Sequence, residues 1–137
     1  MAQLGEPEMT PETVPFWEGM EQRELRMQRC SDCERFYFFP RLTCRFCHSP
    51  NVEWRALSGK ATLLSYVINR RPIVPQGASE PQVIAIIEVD EGPRMLTNIV
   101  GTNAVPEELI LDSKLTVDFE ERCGRIMPVF RITEVAA

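Results

Sequence analysis

The sequence offers a single histidine, His48, and no glycine-rich phosphate loop. Any Ser-His-Asp or Cys-His machinery would have to run through that one imidazole, which stands directly behind a cysteine. Basic charge is not in excess either: 15 Lys and Arg face 20 Asp and Glu, for a net charge of -5 and a pI near 5.0. That balance argues against a general nucleic-acid binder, whose footprint is a basic surplus. Long apolar runs are missing as well. The longest, Val83 to Ile87, is stopped by Glu88, far short of the roughly 18 residues that cross a bilayer, so no membrane association is expected. The first residues, Met1-Ala-Gln-Leu-Gly-Glu-Pro-Glu, have no basic patch followed by an apolar stretch and do not read as a secretory signal.

What the chain does have is cysteine in pairs. Cys30-Ser-Asp-Cys33 is followed, after ten residues, by Cys44-Arg-Phe-Cys47. Two Cys-x-x-Cys hooks at this separation bring four thiolates to the corners of one tetrahedron, each hook supplying two ligands from a tight turn. A closed shell of four thiolates suits structural zinc and leaves no open position for a reacting water. A rubredoxin-like site of four cysteines also accommodates iron, and a disulfide or redox pair is the third alternative. Glycine commonly follows the second cysteine of such hooks; here Glu34 and His48 stand there. Paired thiols explained by metal rather than by disulfides point to a cytoplasmic location.

All four paired cysteines fall within residues 30–47 of a 137-residue chain, which suits a small metal module joined to a compact domain. The expected division is a tail and helix over 1–24, a metal module over 25–55 and a β domain over 56–137. Residues 1 to about 12 read as a loose polar tail. From Thr13, a capping residue, with Pro15 in the first turn, Phe16, Trp17, Met20 and Leu25 recur at helical spacing. Gly19 weakens that helix by about 1 kcal/mol relative to alanine. Its aromatics either pack on the chain's own core or anchor a partner protein. Leu25 to Arg29 alternates as a strand, and Phe36 to Pro40 is a second strand too apolar to face water on both sides. Those aromatics beside Arg35, Arg41 and Arg45 either bury the metal or stack on bases, as single-strand binders do.

From Glu53 the pattern is all-β. Strands are expected at 61–69, 82–89, 94–100, 115–120 and 126–132, with a proline-rich loop from Arg70 to Pro81 and a helical turn at 105–110. Gln82 to Val89 is nearly continuous apolar and reads as a buried central strand. Five strands, the first long, describe a closed barrel of the OB type, with a β-sandwich as the alternative. No catalytic set emerges. Cys123, the one thiol outside the hooks, sits beside Gly124 in an apparent hairpin turn and reads as an incidental free thiol.

The order of pieces carries a resemblance. An aromatic helix is followed by Gln28-Arg29-Cys30-x-x-Cys33, then Phe39-Pro40-Arg41-x-x-Cys44-x-x-Cys47-His48-Ser49-Pro50, then Glu53-Trp54, Leu57-Ser58-Gly59-Lys60-Ala61-Thr62, and Ile87 to Gly101. Over about residues 14–133 this resembles the acyl-CoA-associated family that joins a rubredoxin-like zinc ribbon to an OB-fold, long catalogued as domain of unknown function thirty-five. The resemblance implies a non-catalytic companion subunit of thiolase-like enzymes, either ketothiolases or lipid-transfer-protein-like aldolases. It implies structural zinc on Cys30, Cys33, Cys44 and Cys47, and contact with the CoA moiety of the partner's acyl-CoA substrate. CoA phosphates need cations near a loop, and Lys60, Arg70, Arg71 and Arg94, which flank barrel turns, are the candidates. For docking on the partner the candidates are Phe16, Trp17, Phe36, Phe38 and Phe39. The alternative from another class is an OB-fold protein that binds single-stranded nucleic acid.

Overall fold

The computed structural model describes residues 7–71 and 80–136, so most of the expected 70–81 loop and the first part of the tail lie outside the described residues. Mostly β, the chain runs from a short helix through a small three-stranded sheet into a closed five-stranded barrel. None of its described helices is long and apolar enough to cross a membrane.

A 3-10 turn at Pro11–Thr13 leads into α1, Val14–Glu21. The Thr10 N–H donates to Thr13 Oγ1 at 2.9 Å, and the Thr13 hydroxyl donates back to the Thr10 carbonyl at 2.9 Å. The eight-residue helix makes the two to three turns that its spacing predicts, but it ends before Leu25. Backbone N–H groups of Gln22, Arg23 and Glu24 fold back onto carbonyls at 18–20, and Arg23 takes a positive φ of 59°. Leu25 therefore lies beyond the helix, yet still reaches the same core at 2% exposure. Gly19 is what lets the chain reverse here: a Cβ on it would stand 2.7 Å from the Glu24 carbonyl oxygen. Nor is the tail loose throughout, because the Pro7 carbonyl accepts from Arg125 Nε at 2.8 Å.

The small sheet has the order β2-β1-β3, with β1 at Arg26–Cys30, β2 at Phe36–Tyr37 and β3 at Val52–Ala56. The second strand is thus two residues long rather than the five expected over 36–40. Past Tyr37 the aromatics turn toward α1 instead of continuing the ladder: Phe38 packs on Phe16 at 5.9 Å.

The barrel has the order β4-β5-β6-β8-β7. Its strands are β4 Lys60–Asn69, β5 Gln82–Val89, β6 Arg94–Ile99, β7 Lys114–Arg122 and β8 Arg125–Glu134. β4 closes it by pairing with β5 along its length and with β7 through Lys60–Thr62, a bulge at Leu63/Ser65 supplying the bend. β5 is not buried on both sides. Val83, Ala85, Ile87 and Val89 point inward while Ile86 is 44% exposed, the alternation of a sheet with one wet face. The 105–110 segment makes two hydrogen-bonded turns, Glu108 N–H to Val105 and Leu109 N–H to Pro106. Cys123 and Gly124 form the two-residue turn between β7 and β8, both at positive φ, and Cys123 is exposed. One continuous apolar cluster joins the barrel interior to Phe16, Met20, Leu25 and Met27, so helix and ribbon base share the barrel's core.

Candidate functional site

Each cysteine hook is built the same way. In the first, the Glu34 N–H donates to the Cys30 carbonyl and the Cys30 N–H to the Arg35 carbonyl; in the second, His48 donates to Cys44 and Cys44 to Ser49, all at 2.9 to 3.0 Å. The residue after each second cysteine sits in the left-handed region, Glu34 at φ 60° and His48 at φ 62°. This is why glycine is common at that place, and why its absence here does not prevent the turn. Asp32 of the first hook ties the two together, its carboxylate accepting from the Ser49 hydroxyl and from Asn51 Nδ2. Those donors, Ser49 foremost, hold its pKa below the ordinary carboxylate value.

The four hook sulfurs lie within 4.8 Å of one another. The Cys30–Cys47 and Cys33–Cys44 sulfurs are 3.5 and 3.6 Å apart. A disulfide needs about 2.05 Å, whereas a tetrahedron of metal–sulfur bonds of about 2.3 Å has edges of about 3.8 Å. The quartet therefore fits a four-coordinate metal ion and not a pair of disulfides. Its electrostatics agree. Burial works to raise the Cys44 thiol, but N–H donors of Cys47 and Phe46 outweigh it and bring it down to about 6. Cys47 gains an N–H donor from Ser49, yet burial and the neighbouring sulfurs of Cys30, Cys44 and Cys33 push it up to about 12. Four sulfurs this close cannot all be thiolates unless a cation sits among them. Tyr37, 2% exposed, packs on Cys30 and Cys44. Burial first, then the nearby thiolates, push its phenol up to about 12. His48 is exposed on the turn behind Cys47.

A second feature is an apolar groove of about 450 Å³ between α1, the ribbon and the barrel strands β6 and β8. It gathers four of the five aromatics expected to dock a partner. Phe16 and Trp17 meet edge to face at 5.2 Å, and Phe38 and Phe39 stack at 4.7 Å. Phe16 is 7% exposed and committed to the protein's own core, whereas Phe39 is 71% exposed. The indole N–H of Trp17 is buried without an acceptor among the described residues, and the Arg125 guanidinium lies 5.3 Å over its ring. Phe36 stands elsewhere, in a cleft on the β5–β6 turn.

The four cations expected to meet CoA do not converge. Lys60 opens β4, and Arg94 opens β6 at the same end of the barrel, ion-paired with Glu88 at 3.1 Å. Arg70 and Arg71 follow the other end of the ten-residue β4, roughly 30 Å along the strand at about 3.3 Å per residue. Two residues that the sequence shows only as members of the hook motifs have a definite role here. Gln28, 5% exposed, grips the backbone of Arg41 in both directions at 2.9 and 2.7 Å and so pins the segment between the hooks. Phe46 carries Arg35 and Arg45 over its ring. Nothing in the local pattern signals Gln28, which looks like any polar position of an alternating strand.

Comparison with known proteins gives the same architecture. Residues 17–53 match the model described as ChsH2, rubredoxin-like zinc ribbon domain, and residues 54–120 the model described as ChsH2, C-terminal OB-fold domain. A probable enoyl-CoA hydratase alpha subunit of Thermomonospora curvata is 33% identical over 119 residues, 85% of this chain but 36% of the relative. The chain thus spans little more than a third of that hydratase subunit. A DUF35 domain-containing scaffold protein of Methanocaldococcus jannaschii is 30% identical over 110 residues, 77% of this chain and 75% of the relative. Among solved structures, a chain of the Ltp2-ChsH2(DUF35) aldolase superposes with a TM-score of 0.81 at 28% identity, over 93% of this chain and 98% of that one. With ribbon and barrel both matched, in order and nearly end to end, the chain belongs to the ChsH2/DUF35 family of zinc-ribbon and OB-fold proteins.

Proposed function

We propose that the chain is a non-catalytic, zinc-bearing subunit that docks on a thiolase-like enzyme, a ketothiolase or a lipid-transfer-protein-like aldolase acting on an acyl-CoA, and supports that enzyme's assembly and its hold on CoA. The observation that carries this reading is the likeness, over nearly the whole chain, to a subunit named as part of the Ltp2-ChsH2(DUF35) aldolase. The CoA thioester class is supported by the relative named as an enoyl-CoA hydratase alpha subunit. Zinc on Cys30, Cys33, Cys44 and Cys47 is structural in this reading, because four thiolates complete its shell. A reducing cytoplasmic compartment and a place in lipid metabolism belong to the same reading, the first because free thiols persist there.

The surface supports docking. The groove beside Trp17 continues onto the outer barrel face through Leu96, 67% exposed, and its cross-strand neighbour Ile86, 44% exposed. A tryptophan with a buried, unpaired N–H at the rim of an apolar groove is well placed to take an acceptor from a partner. Affinity purification from the native host is expected to bring down a thiolase-like chain. Trp17→Ala should weaken that pairing about tenfold or more, with zinc content unchanged and a folded barrel confirmed by a cooperative, if lower, melting transition. Assembly that ignores Trp17→Ala removes the groove from the interface, and repeated capture without any thiolase-like chain removes the proposed function.

A further inference from the structure

Several arginines of the ribbon and barrel are neutralised by carboxylates. Arg29 pairs with Glu34 and Glu53, Arg55 with Glu53, Arg94 with Glu88, Arg122 with Glu120 and Arg131 with Asp118. Arg35 and Arg45, like Arg41, Arg70 and Arg71, have no carboxylate partner among the described residues. The guanidinium groups of Arg35 and Arg45 lie over the ring of Phe46 instead, 4.9 and 5.3 Å from its centroid. In a chain of net charge -5, carboxylates are in surplus, so two free guanidinium groups on one ring leave a local positive site rather than a shortage of partners.

That ring forms one wall of a cleft of about 520 Å³ between the ribbon and the β5–β6 turn. Phe36 of β2 lines it, and the turn contributes Glu91 and Arg94. Glu91 is half satisfied. Its Oε2 accepts from the Ser58 N–H at 2.9 Å, while its Oε1 is buried with no donor among the described residues. A bound molecule matched to this cleft must bring an anion for the guanidinium forks, a flat face for the Phe36 ring and a hydrogen-bond donor for the carboxylate. An acidic protein surface would meet the first need and not the third. The cleft also has the size of small-molecule sites, roughly 300 to 1,000 Å³.

We propose that the cleft between the second cysteine hook and the β5–β6 turn binds a nucleoside phosphate, with Arg35 and Arg45, held on Phe46, on the phosphate, Phe36 against the base, and Glu91 on a ribose hydroxyl or ring amine. This deepens the CoA contact proposed above and rests on that reading for which nucleotide it is, the phosphorylated adenosine end of CoA. It moves the contact from Lys60, Arg70, Arg71 and Arg94 to the place where cations, rings and an orphan acceptor meet.

The test is titration calorimetry on the zinc-loaded full chain with adenosine 3′,5′-bisphosphate, ADP, inorganic phosphate and a single-stranded oligonucleotide. Both nucleotides are expected to bind, at least about tenfold tighter than phosphate, and the double variant Arg35→Ala/Arg45→Ala should lose at least about tenfold. Arg55→Ala, a paired arginine outside the cleft, should change nothing. Glu91→Gln should narrow the gap between nucleotide and phosphate. Zinc content and melting of the double variant check that it is folded, and Glu91→Gln leaves the cations in place if it is not. Nucleotides that bind no better than phosphate, a folded double variant that binds like the parent, or an oligonucleotide that binds far tighter than either mononucleotide would each overturn the proposal. Capture of a thiolase-like chain, measured on the same proteins, separates the two claims. Its loss with nucleotide binding intact sinks the assembly reading alone, and the double variant should still capture the partner.

Discussion

In the barrel, Leu63, Ile87, Leu115 and Phe130 are fully shielded within one cluster that takes in the helix and the start of β1. In the ribbon, the separate cluster holds only Cys30, Tyr37 and Cys44, with Cys33 and Val52 beside it. Fully burying a leucine or phenylalanine contributes about 1.5 to 3 kcal/mol, so the barrel closes on hydrophobic burial and the ribbon tip cannot. A sheet with one two-residue strand and a core made mostly of sulfur has to be held by the ion its sulfurs bind. The boundary between the regimes runs through β1. Met27 belongs to the barrel's cluster and Cys30, three residues on, to the metal's.

The largest expected effect separates these regimes directly. Stripping the metal with a strong chelator, or replacing a ligand by Cys44→Ser, should abolish amide protection over residues 30–52 and leave the barrel strands protected. Structural zinc contributes on the order of 10 kcal/mol in zinc-finger peptides, more than this tip has from packing. Hydrogen exchange followed by mass spectrometry reads both regions at once, and simultaneous loss of barrel protection would end the contrast. The converse change is Phe130→Ala, at a residue with 0% exposure. It should destabilise the barrel by about 3 to 5 kcal/mol, measured by denaturant unfolding, while the folded fraction keeps its full zinc content.

The same contrast explains what could be read from residues alone. The barrel was legible because alternation and turn residues are local signals: β5 falls at Gln82–Val89 as its pattern predicts, and Cys123-Gly124 turns the last hairpin. The hooks were legible because ligand spacing is itself the geometry. Less legible was anything decided by tertiary contact. The aromatic run at 36–40 leaves the sheet after two residues because Phe38 finds Phe16. Ile86, apolar in sequence, faces out because its neighbours on β5 already fill the barrel. Lys60 and Arg94 open β4 and β6 at one end of the barrel while Arg70 and Arg71 follow the far end of β4, a separation that their places beside turns do not signal. Arg35, just past the first hook, and Arg45 of the second meet over Phe46 of the second, a contact between hooks ten residues apart in sequence.

A smaller effect tests how the ribbon holds its shape. Glu34 and His48 bear side chains at positive φ, where glycine is at ease. Glu34→Gly or His48→Gly should each stabilise the zinc-loaded ribbon by up to about 1 kcal/mol. The readout is slower loss of zinc to a competing chelator. Glu34 also gives up an ion pair with Arg29, 3.5 Å long and made by a side chain 75% exposed, so the gain should be larger at His48. Equal or opposite ranking would mean that the pair contributes nothing to holding the ribbon.

The smallest effect falls on the barrel's irregular segment before β7. The Glu108 carboxylate accepts from the Thr102 hydroxyl at 2.6 Å, the Asn103 N–H at 2.7 Å and the Asn103 side chain at 2.8 Å. These donors, Thr102 first, hold its pKa below the ordinary 4.5. A carboxylate whose pKa is lowered by folding stabilises the native state above its unfolded value, and that contribution is lost as pH falls through the folded one. The barrel should therefore weaken slightly below about pH 4.5, and Glu108→Gln should flatten that limb without moving zinc release. The ribbon, whose ligands must stay deprotonated to hold metal, should lose its ion at acid pH on a separate curve. Two curves that superpose, or a Glu108→Gln variant that shifts the release of zinc, would show that the two regions are one cooperative unit through Leu25 and Met27.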